Sequence, residues 1–378
     1  MPDLFEDKEI DIMREALELA RNGEGRVSPN PPVGCVLVRD GEVVGRGWHN
    51  RLGDLHAEAM ALKEAGDRAW GATAYVTLSP CSSHGRQPPC ADALIRARVA
   101  GVVAAAEDPN PRNTSGLDVL RRSGVPVRVG LLRSEAEYLA RGFFKLMRRG
   151  RPFVTLKYAM TLDGKTATAT GDSRWVSGPE SLELVHDMRS RHDAVMVGSG
   201  TALADDPLLN VREPVLGDRE AFGPHPQPLR VILDSNCRLS PDAAMLRPEN
   251  GQGGRVLVAA VESAPPERAD ALLLAGAEVL LLPPVDGHAP IDNLLDDLAR
   301  RGVAMILCES GGRLSAALLR AGAVDEIVAF VAPKLAGGQT APGPVADLGI
   351  GKMAEALRLD VRESRRVGSD TMIRAAVL

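Results

Sequence analysis

Strand-like and helix-like segments alternate along nearly the whole 378-residue chain, and this alternation limits the fold more than any other feature. In the first part, a helix over residues 8–21 precedes a hairpin that turns at Asp40-Gly41, and strands at 72–78, 102–106 and 125–129 alternate with further helices. A capping-box pattern, Ser134 with Glu137, predicts one helix from there toward Met147. Such alternation predicts a three-layer α/β domain.

The basic run MRRGRP at residues 147–152 interrupts the alternation and is the predicted domain boundary. Charge runs are usually solvated, which suits a linker. From residue 153 to 331, repeated strand–helix–strand patterns predict a mostly parallel, doubly wound sheet, and residues 357–378 resemble a terminal hairpin. Residues 214–228 are rich in proline and glycine and predict a surface loop. We therefore expect two domains, residues 1–148 and 149–378.

Composition excludes several classes of protein. The net charge is -5 and aromatic residues make up 3%, which argues against binding to a nucleic acid by phosphate contacts or base stacking. Apolar runs are too short to span a membrane, and the acidic N-terminus lacks the apolar segment of a signal peptide. An odd number of cysteines, five, is typical of a reducing compartment. The composition therefore predicts a soluble cytoplasmic protein.

Two of the cysteines lie in the segment PCSSHGRQPPC, where Cys81 and Cys90 each follow a proline and eight residues separate them. Upstream, the segment HAE supplies His56 and Glu58. This order, His-x-Glu, Pro-Cys and a second Cys, is typical of zinc-dependent nucleobase deaminases. The ligands His56, Cys81 and Cys90 would leave one coordination position for water, as a catalytic zinc site requires. Glu58 would move a proton from that water to the departing amino group.

Other readings of these residues remain open at this point. His84 lies between the cysteines and would complete a purely structural zinc site. A Cys81–Cys90 disulfide is disfavoured in a reducing compartment. The long gap between the cysteines also departs from the usual Cys-x-x-Cys. A nucleic-acid-editing deaminase with an attached binding domain is opposed by the charge and the few aromatic residues.

Longer segments around these residues resemble the bifunctional deaminase–reductase family of riboflavin biosynthesis. SPNPPVGCVLV, HAEAMAL and YVTLSPCSSHGRQPPC resemble its deaminase half, and LKYAMTLDGKTAT, GTALADDPLLNVR and CESGGRLSAALL resemble its reductase half. The family shares the eight-residue gap between the cysteines. The resemblance implies an α/β chain with an N-terminal cytidine-deaminase-like α/β/α domain, followed by a dihydrofolate-reductase-like α/β domain.

The resemblance also implies two consecutive reactions. With Zn²⁺, the first half would deaminate 2,5-diamino-6-(5-phosphoribosylamino)pyrimidin-4(3H)-one. With NADPH, the second half would reduce the ribosyl group of 5-amino-6-(5-phosphoribosylamino)uracil to ribityl. Family members are often homo-oligomers, so we expect one here.

The site residues carried over from the family fall in both halves. Asn30 and His49 would line the pyrimidine pocket, although on the residues alone Asn30 is a turn residue and His49 a surface histidine. Lys157 would lie near the reacting ribose and is a candidate general acid, with a bound water as the alternative. Substrate contacts would come from Ser173, Arg189, Leu209 and Arg212, and cofactor contacts from Ala159, Trp175, Thr201, Asp205, Ser235, Glu309, Gly311 and Gly312.

Two features of the reductase half have a physical reading. Gly311-Gly312 lies between a strand and a helix, where backbone N–H groups can hold a phosphate. An arginine near the ribose 2′-phosphate would favour NADPH over NADH, and Arg238, which follows Asp234-Ser235, is a candidate.

The chain departs from the family pattern at two places. Ser79 replaces the usual glutamate before Pro-Cys; zinc binding should survive, but a supporting hydrogen bond changes, and a chain with an active reductase alone stays an alternative. After DPNP, the segment RNTSGLDVL has fewer glycines than usual, which leaves the ribose-phosphate contacts of the first site open.

Overall fold

The computed structural model describes residues 5–83, 88–111, 113, 115–212, 226–247 and 253–378. These residues divide into two compact units, of which the first ends at Gly150 and the second begins at Arg151.

The first unit contains a five-stranded sheet in the order β2-β1-β3-β4-β5. Strand β1 is antiparallel to β2 and β3, whereas β3, β4 and β5 run parallel. The strands are Gly34–Arg39 (β1), Glu42–Trp48 (β2), Thr73–Leu78 (β3), Gly101–Ala106 (β4) and Val127–Val129 (β5). The helices are Asp7–Arg21 (α1), Ala57–Ala65 (α2), Cys90–Arg96 (α3), Gly116–Arg122 (α4), Arg133–Leu139 (α5) and Arg141–Arg149 (α6).

Helices cover both faces of this sheet, which confirms the predicted three layers. Helices α2, α3 and α4 pack on one face through residues such as Ala61, Leu94 and Leu120. Helices α1, α5 and α6 pack on the other, for example through Met13 and Phe144. Each face of the sheet therefore has its own apolar core.

A glycine in β2 lets α2 approach the sheet closely. A Cβ atom on Gly47 would lie 2.2 Å from the carbonyl oxygen of Ala57, the first residue of α2. Only glycine leaves room for this approach. The start of α2, where the predicted metal ligand His56 lies, is thereby fixed against the sheet.

The predicted helix from Ser134 toward Met147 is wrong in detail. The chain forms two helices, α5 and α6, which meet at Ala140. Ser134 lies inside α5, because Leu132, in the left-handed conformation, is the N-cap. A capping box does occur in this unit, but on α1, where the Glu9 side chain accepts a hydrogen bond from the Glu6 backbone N–H at 3.1 Å.

The second unit contains a nine-stranded sheet in the order β10-β9-β8-β7-β11-β6-β12-β14-β13. Strands from β10 to β12 run parallel, and β14 and β13 form an antiparallel edge. The strands are Phe153–Thr161 (β6), Ala194–Gly198 (β7), Leu229–Leu233 (β8), Val256–Val261 (β9), Glu278–Leu282 (β10), Met305–Cys308 (β11), Glu326–Ala332 (β12), Leu359–Val367 (β13) and Asp370–Val377 (β14). The helices are Pro179–Ser190 (α7), Ser199–Asp205 (α8), Pro266–Leu274 (α9), Ile291–Arg300 (α10) and Gly312–Arg320 (α11).

The parallel sheet and the terminal hairpin confirm two predictions for this unit. The chain starts in the middle with β6, builds outward through β7 to β10, and returns to place β11 between β7 and β6. The sequence did not predict α8, which begins directly after β7. Most of the predicted loop at 214–228 lies outside the described residues. In the described part of the chain, no helix is both long and apolar enough to cross a membrane.

Candidate active sites

Three predicted ligands meet at one point in the first unit. His56 is the N-cap of α2, Cys90 is the first residue of α3, and Cys81 follows β3. The Nδ1 atom of His56 lies 3.6 Å from Cys81 Sγ and 3.4 Å from Cys90 Sγ. All three donor atoms lie within 4.8 Å of one another. Two helix starts and one strand end thus bring together residues that are far apart in sequence.

These distances fit a zinc ion. Bonds of 2.0–2.1 Å to nitrogen and 2.3 Å to sulfur at a tetrahedral angle place the two donors about 3.6 Å apart. The observed nitrogen–sulfur separations of 3.6 and 3.4 Å are close to this value. Imidazole and thiolate are the donors that zinc prefers. His84, the alternative fourth ligand, lies outside the described residues.

The thiols of Cys81 and Cys90 interact with each other. A hydrogen bond from Cys90 lowers the pKa of Cys81 to about 4, because the remaining proton stabilises the neighbouring thiolate. The same bond raises the pKa of Cys90. The Cys90 backbone N–H also donates to Cys81 Sγ, at 3.3 Å. Within the pair, Cys81 is therefore the thiol that more readily becomes a thiolate.

Glu58 lies in the first turn of α2 and is 4% exposed. Burial raises the pKa of its carboxyl to about 7, and its side chain interacts with Cys90. A carboxyl group that exchanges a proton near neutral pH, next to the ligand cluster, suits a general acid–base.

His49 is not a surface residue, so the reading from its strand-end position alone is wrong. It is 3% exposed, and its ring lies 5.3 Å from the ring of His56 in an edge-on arrangement. Its Nε2 lies 3.3 Å from the Asn30 side-chain nitrogen, and its Nδ1 lies 3.2 Å from the Leu55 carbonyl. Asn30 and His49 thus form a polar pair beside the metal cluster.

The Ser79 side chain forms a hydrogen bond with the backbone of the loop that contains Asp108. It is 7% exposed, and its Oγ accepts the backbone N–H of Asp108 at 2.8 Å. Asp108, also 7% exposed, accepts hydrogen bonds from the Asn110 backbone at 2.8 Å and the Asn113 side chain at 3.0 Å. Sequence reasoning did not single out Asp108, although DPNP after a strand marked the loop. Ser79 connects this loop to the segment that carries Cys81.

The second unit contains a cleft of about 940 Å³. Seven of the residues predicted for the reductase site line it: Lys157, Ser173, Trp175, Arg189, Asp205, Leu209 and Arg212. Six others lie outside the lining: Ala159, Thr201, Ser235, Glu309, Gly311 and Gly312. Sequence reasoning missed three further basic lining residues, Arg174, Arg230 and Arg247. These arginines make the cleft suitable for a phosphorylated ligand.

Lys157, Arg189 and Glu309 form a charged cluster at this cleft. Glu309 accepts two hydrogen bonds from Arg189, at 2.5 and 3.0 Å, and lies 3.6 Å from the Lys157 ammonium. Burial works to raise the pKa of Glu309, but the charges of Arg189 and Lys157 outweigh it and lower the pKa to about 2. Burial lowers the pKa of Lys157. Glu309 therefore stays ionised and holds both cationic side chains in place.

Five of the six predicted cofactor residues outside the cleft lining follow the carboxyl ends of parallel strands, and the sixth, Ala159, lies within β6. Thr201 comes after β7, Ser235 after β8, and Gly311-Gly312 after β11. The Thr201 Oγ1 accepts the Gly311 backbone N–H at 3.3 Å. Because the chain order reverses between these strands, their ends form the crevice in which such sheets bind nucleotides. The residues present therefore fit a nicotinamide dinucleotide.

Two family models match the chain. The family described as "Cytidine and deoxycytidylate deaminase zinc-binding region" matches residues 6–106, and "RibD C-terminal domain" matches residues 152–373. The first match contains the metal cluster, and the second contains the cleft.

Curated relatives match over nearly the whole chain. "Riboflavin biosynthesis protein RibD" of Escherichia coli is 42% identical over 96% of this chain and 97% of its own, and the protein of the same name from Aquifex aeolicus is 39% identical over 97% and 98%. Among solved structures, Acinetobacter baumannii RibD has a TM-score of 0.85 at 38% identity and covers 98% of this chain and 99% of its own. A Thermotoga maritima structure titled as a diaminohydroxyphosphoribosylaminopyrimidine deaminase/5-amino-6-(5-phosphoribosylamino)uracil reductase has a TM-score of 0.84 at 33% identity, with coverage of 98% and 99%. The chain therefore belongs to the RibD family, and it is a bifunctional enzyme of riboflavin biosynthesis with a zinc-dependent deaminase followed by an NADPH-dependent reductase.

Proposed function

We propose that residues 1–148 remove the amino group at C2 of 2,5-diamino-6-(5-phosphoribosylamino)pyrimidin-4(3H)-one, and that residues 149–378 reduce the ribosyl group of the product, 5-amino-6-(5-phosphoribosylamino)uracil. The convergence of His56, Cys81 and Cys90 beside the buried Glu58 carries this proposal. The division of the chain between Gly150 and Arg151 supports the boundary.

In the deaminase, His56, Cys81 and Cys90 would hold the zinc ion. When bound, zinc acts as a Lewis acid that lowers the pKa of a water molecule toward neutrality. Glu58 accepts the proton that this water loses and donates it to the leaving amino group. Its burial favours both steps, because a carboxyl with a pKa of about 7 is neither a very weak base nor a very weak acid at neutral pH.

Asn30 and His49 position the pyrimidine. Burial lowers the pKa of His49, which favours the neutral ring, and with Nδ1 donating to the Leu55 carbonyl, Nε2 is left as the acceptor beside Asn30. The amide of Asn30, 3.3 Å from that ring, supplies further donors and an acceptor. The two residues can match the hydrogen-bonding edge of an aminopyrimidine.

In the reductase, the substrate occupies the cleft. NADPH, when bound, supplies the hydride, which adds to C1′ of the ring-opened ribosylamine. The nitrogen attached to C1′ then needs a proton, and Lys157 donates it. Its burial favours this role because a lowered pKa makes the ammonium a stronger acid.

The basic lining of the cleft binds the substrate phosphate. Arg212 provides a planar guanidinium group for a bidentate contact, Arg189, whose Nε and Nη2 are held by Glu309, adds its positive charge, and Ser173 and Leu209 complete the wall. The side chain of Glu309 is engaged with Lys157 and Arg189, so we assign it the orientation of these two residues rather than a contact with the cofactor.

The cofactor occupies the crevice at the strand ends. Gly311 and Gly312 begin α11, whose N-terminal N–H groups suit a phosphate of the dinucleotide. Thr201, Ser235, Asp205, Ala159 and Trp175 would supply further contacts to the bound dinucleotide. The exposed ring of Trp175, at 66% exposure, is available for such a contact.

Three broader features belong to the same proposal. The protein works in the cytoplasm, where a reducing environment keeps the paired thiols Cys81 and Cys90 free to bind metal. Its partners are small molecules and not nucleic acids, in line with the net charge of -5. It assembles with copies of itself, as members of this family often do.

The decisive experiment supplies the purified enzyme with the diaminopyrimidine phosphate and NADPH. Ammonia release and the loss of NADPH absorbance should both occur, and in that order. Glu58→Gln should abolish ammonia release but should still reduce the deaminated product when that compound is supplied directly. Ammonia release without any NADPH oxidation would contradict the reductase assignment, and the reverse would contradict the deaminase.

The metal ligands have a matched control in the same unit. Cys35 is a buried, free cysteine on β1. Elemental analysis should find about one zinc per chain in the wild type and in Cys35→Ala. Cys81→Ala and Cys90→Ala should lose most of it. Equal zinc in all four proteins would show that these cysteines are not the ligands.

A further inference from the structure

A short segment of the chain lines the reductase cleft with most of its residues. In this cleft segment, residues 208–212, all residues but Val211 line the cleft. The segment lies outside the helices and strands, and Leu209 adopts a left-handed backbone conformation with a φ of 52°. A side chain with a Cβ atom makes this conformation unfavourable. Such a residue keeps it only where surrounding groups hold the backbone in place.

Gln227 holds Val211 through both of its backbone groups. The Val211 N–H donates to Gln227 Oε1 at 2.8 Å, and Gln227 Nε2 donates to the Val211 carbonyl at 3.1 Å. These two bonds fix the side-chain amide and the buried backbone of Val211 against each other. Gln227 precedes β8 and lies outside the lining of the cleft. It therefore acts on the cleft through Val211, which lies between two residues that line it.

Arg230 holds the other end of the cleft segment. It lies in β8 and is 2% exposed. Its Nη1 donates to the carbonyls of Leu208 at 3.4 Å and Met245 at 2.6 Å, and its Nη2 donates to the Gly254 carbonyl. Burial lowers the pKa of Arg230 to about 10, so its guanidinium remains charged at neutral pH. One buried cation thus connects the cleft segment to the chain between β8 and β9, where Met245 and Gly254 lie.

A third side chain connects the cleft segment to the charged cluster. Arg189 Nη1 donates to the Asn210 carbonyl at 3.1 Å, and Glu309 holds the Nε and Nη2 of the same arginine. The backbone of the cleft segment is therefore held at three positions by three different side chains. The left-handed Leu209 lies between two of these positions.

The positions of two assigned substrate contacts depend on these bonds. Leu209 and Arg212 both belong to the cleft segment. The proton donor Lys157 lies on β6, and Gly311-Gly312 lies at the start of α11. A displacement of about 1 Å is enough to weaken catalysis when it misplaces groups that position a substrate. Loosening the cleft segment should therefore disturb the binding of substrate and leave the proton donor and the cofactor site in place.

We propose that Gln227 and Arg230 are positioning residues of the reductase, which hold the cleft segment so that Leu209 and Arg212 meet the phosphorylated substrate. They set the affinity for this substrate, whereas the rate of hydride transfer depends on other elements. The inference rests on the proposed reductase function and adds two residues that act on the substrate through the backbone of a neighbouring segment.

The test measures steady-state kinetics of the intact enzyme with the uracil substrate and NADPH. Gln227→Ala removes both bonds to Val211, and KM for the uracil substrate should rise about 10-fold, as expected for the loss of two neutral hydrogen bonds. The kcat and the KM for NADPH should change by less than about twofold, because a loss of ground-state binding raises KM alone.

A second variant changes the other holding residue. Arg230→Lys keeps the positive charge, but a single ammonium nitrogen cannot reproduce the fork of the guanidinium toward three carbonyls. KM for the uracil substrate should rise about 10- to 100-fold, again with little change in KM for NADPH. Gln227 is only partly buried, so Gln227→Ala keeps the proposal testable even where Arg230→Lys folds poorly.

Arg374 supplies the control for a loss of stability. This arginine lies on β14 in the same unit and outside the lining of the cleft, and it pairs with Glu326 at 2.9 Å and Glu363 at 3.3 Å. Arg374→Gln should lower the melting temperature of the reductase and leave KM for the uracil substrate unchanged. An equal rise of this KM in Arg374→Gln and Gln227→Ala would overturn the proposal. A wild-type KM in Gln227→Ala, or a fall in kcat alone, would overturn it as well.

The outcome separates this inference from the function on which it rests. If the wild type oxidises NADPH with the uracil substrate while Gln227→Ala keeps the wild-type KM, only the positioning role is wrong. If the wild type does not oxidise NADPH with this substrate, the proposed reductase function fails, and the positioning role fails with it.

Discussion

Glu309 and Arg189 form a two-point ion pair, with Nε and Nη2 of the arginine 2.5 and 3.0 Å from the two carboxylate oxygens. The same carboxylate lies 3.6 Å from the Lys157 ammonium. One buried acid therefore fixes a residue that we assign to substrate binding and one that we assign to proton donation. Glu309 does not line the cleft itself, but it holds two side chains that do, Lys157 and Arg189.

Replacing this acid should affect the reductase alone. In Glu309→Gln, Lys157 and Arg189 lose their shared anionic partner, and reductase kcat/KM should fall about 100-fold or more, since breaking a buried ion pair costs about 3–5 kcal/mol. Deamination should be unchanged. NADPH oxidation with the uracil substrate and ammonia release with the diaminopyrimidine are measured separately.

Glu326→Gln is the control for that variant. Glu326 is 3% exposed and pairs with Arg374 at 2.9 Å in the same unit, but it does not line the cleft. It should lose stability without a selective loss of reduction. A comparable fall in reductase kcat/KM in both variants would mean that Glu309 acts through stability only.

Metal removal should act on the first unit. A chelator that strips zinc leaves His56, Cys81 and Cys90 without the ion that ties together two helix starts and a strand end. The calorimetric transition of the deaminase should move to lower temperature and ammonia release should stop. The reductase transition, identified by its upward shift with NADP⁺, should stay in place. Zinc added back should restore the first transition; a chelator effect on the reductase instead would contradict the assignment.

The serine that replaces the family glutamate should be needed for the stability of its loop. Ser79→Ala leaves the buried Asp108 N–H without an acceptor, and the free energy of unfolding of the deaminase should fall by about 1–3 kcal/mol. The exposed Ser123 is the control, and Ser123→Ala should change stability by less than about 0.5 kcal/mol. Urea denaturation of both variants provides the comparison. Equal stabilities would show that the Ser79 hydroxyl contributes nothing.

A half-buried histidine, His186, should make the reductase sensitive to acid. Burial, and then the charges of Arg189 and Arg212, lower the pKa of His186 to about 4. In the unfolded chain the pKa is about 6.5, so between these values the unfolded chain binds a proton that the folded chain does not. The free energy of unfolding should therefore be fully maintained above about pH 6.5 and decrease as the pH falls toward about 4.

His186→Gln removes this proton and should flatten that decrease. The reductase transition of the wild type should lose more stability than that of the variant between pH 7.5 and pH 5, as followed by calorimetry. Parallel pH profiles for the two proteins would contradict the assignment of the titration to His186.

Periodicity and turn chemistry were enough to predict both sheets, because the strands are apolar and end at clear turn residues. The metal cluster was also predictable, since its ligands lie in short motifs at helix starts. The helix predicted from Ser134 toward Met147 was wrong because the backbone departs from regular helical geometry at two residues. Leu132, in the left-handed conformation, is the N-cap of α5, so the helix begins at Arg133 and not after Ser134. The helix is then interrupted at Ala140, although the sequence pattern continues through this residue.

The features of the site that the sequence did not predict depend on contacts between distant segments. Asp108 is brought to Ser79 by the parallel pairing of β3 and β4, which no single motif contains. His49 is buried because Asn30 and the segment Leu55-His56 lie against it, which its strand-end position in the sequence does not indicate. The motif around Glu309 was enough to assign this residue to the reductase site. Its hydrogen bond to Arg189, 120 residues away in sequence, is visible only in the folded structure.

The order in which the strands enter the second sheet has a consequence for synthesis on the ribosome. A nascent chain that ends before Met305 already contains β6 and β7 but lacks β11, the strand that separates them. Its largest sheet is divided down the middle, and Glu309 has not yet been translated, so Lys157 and Arg189 have no shared acid. The reductase can therefore become active only after β11 and Glu309 have been synthesised, later than the deaminase unit, which the ribosome completes first.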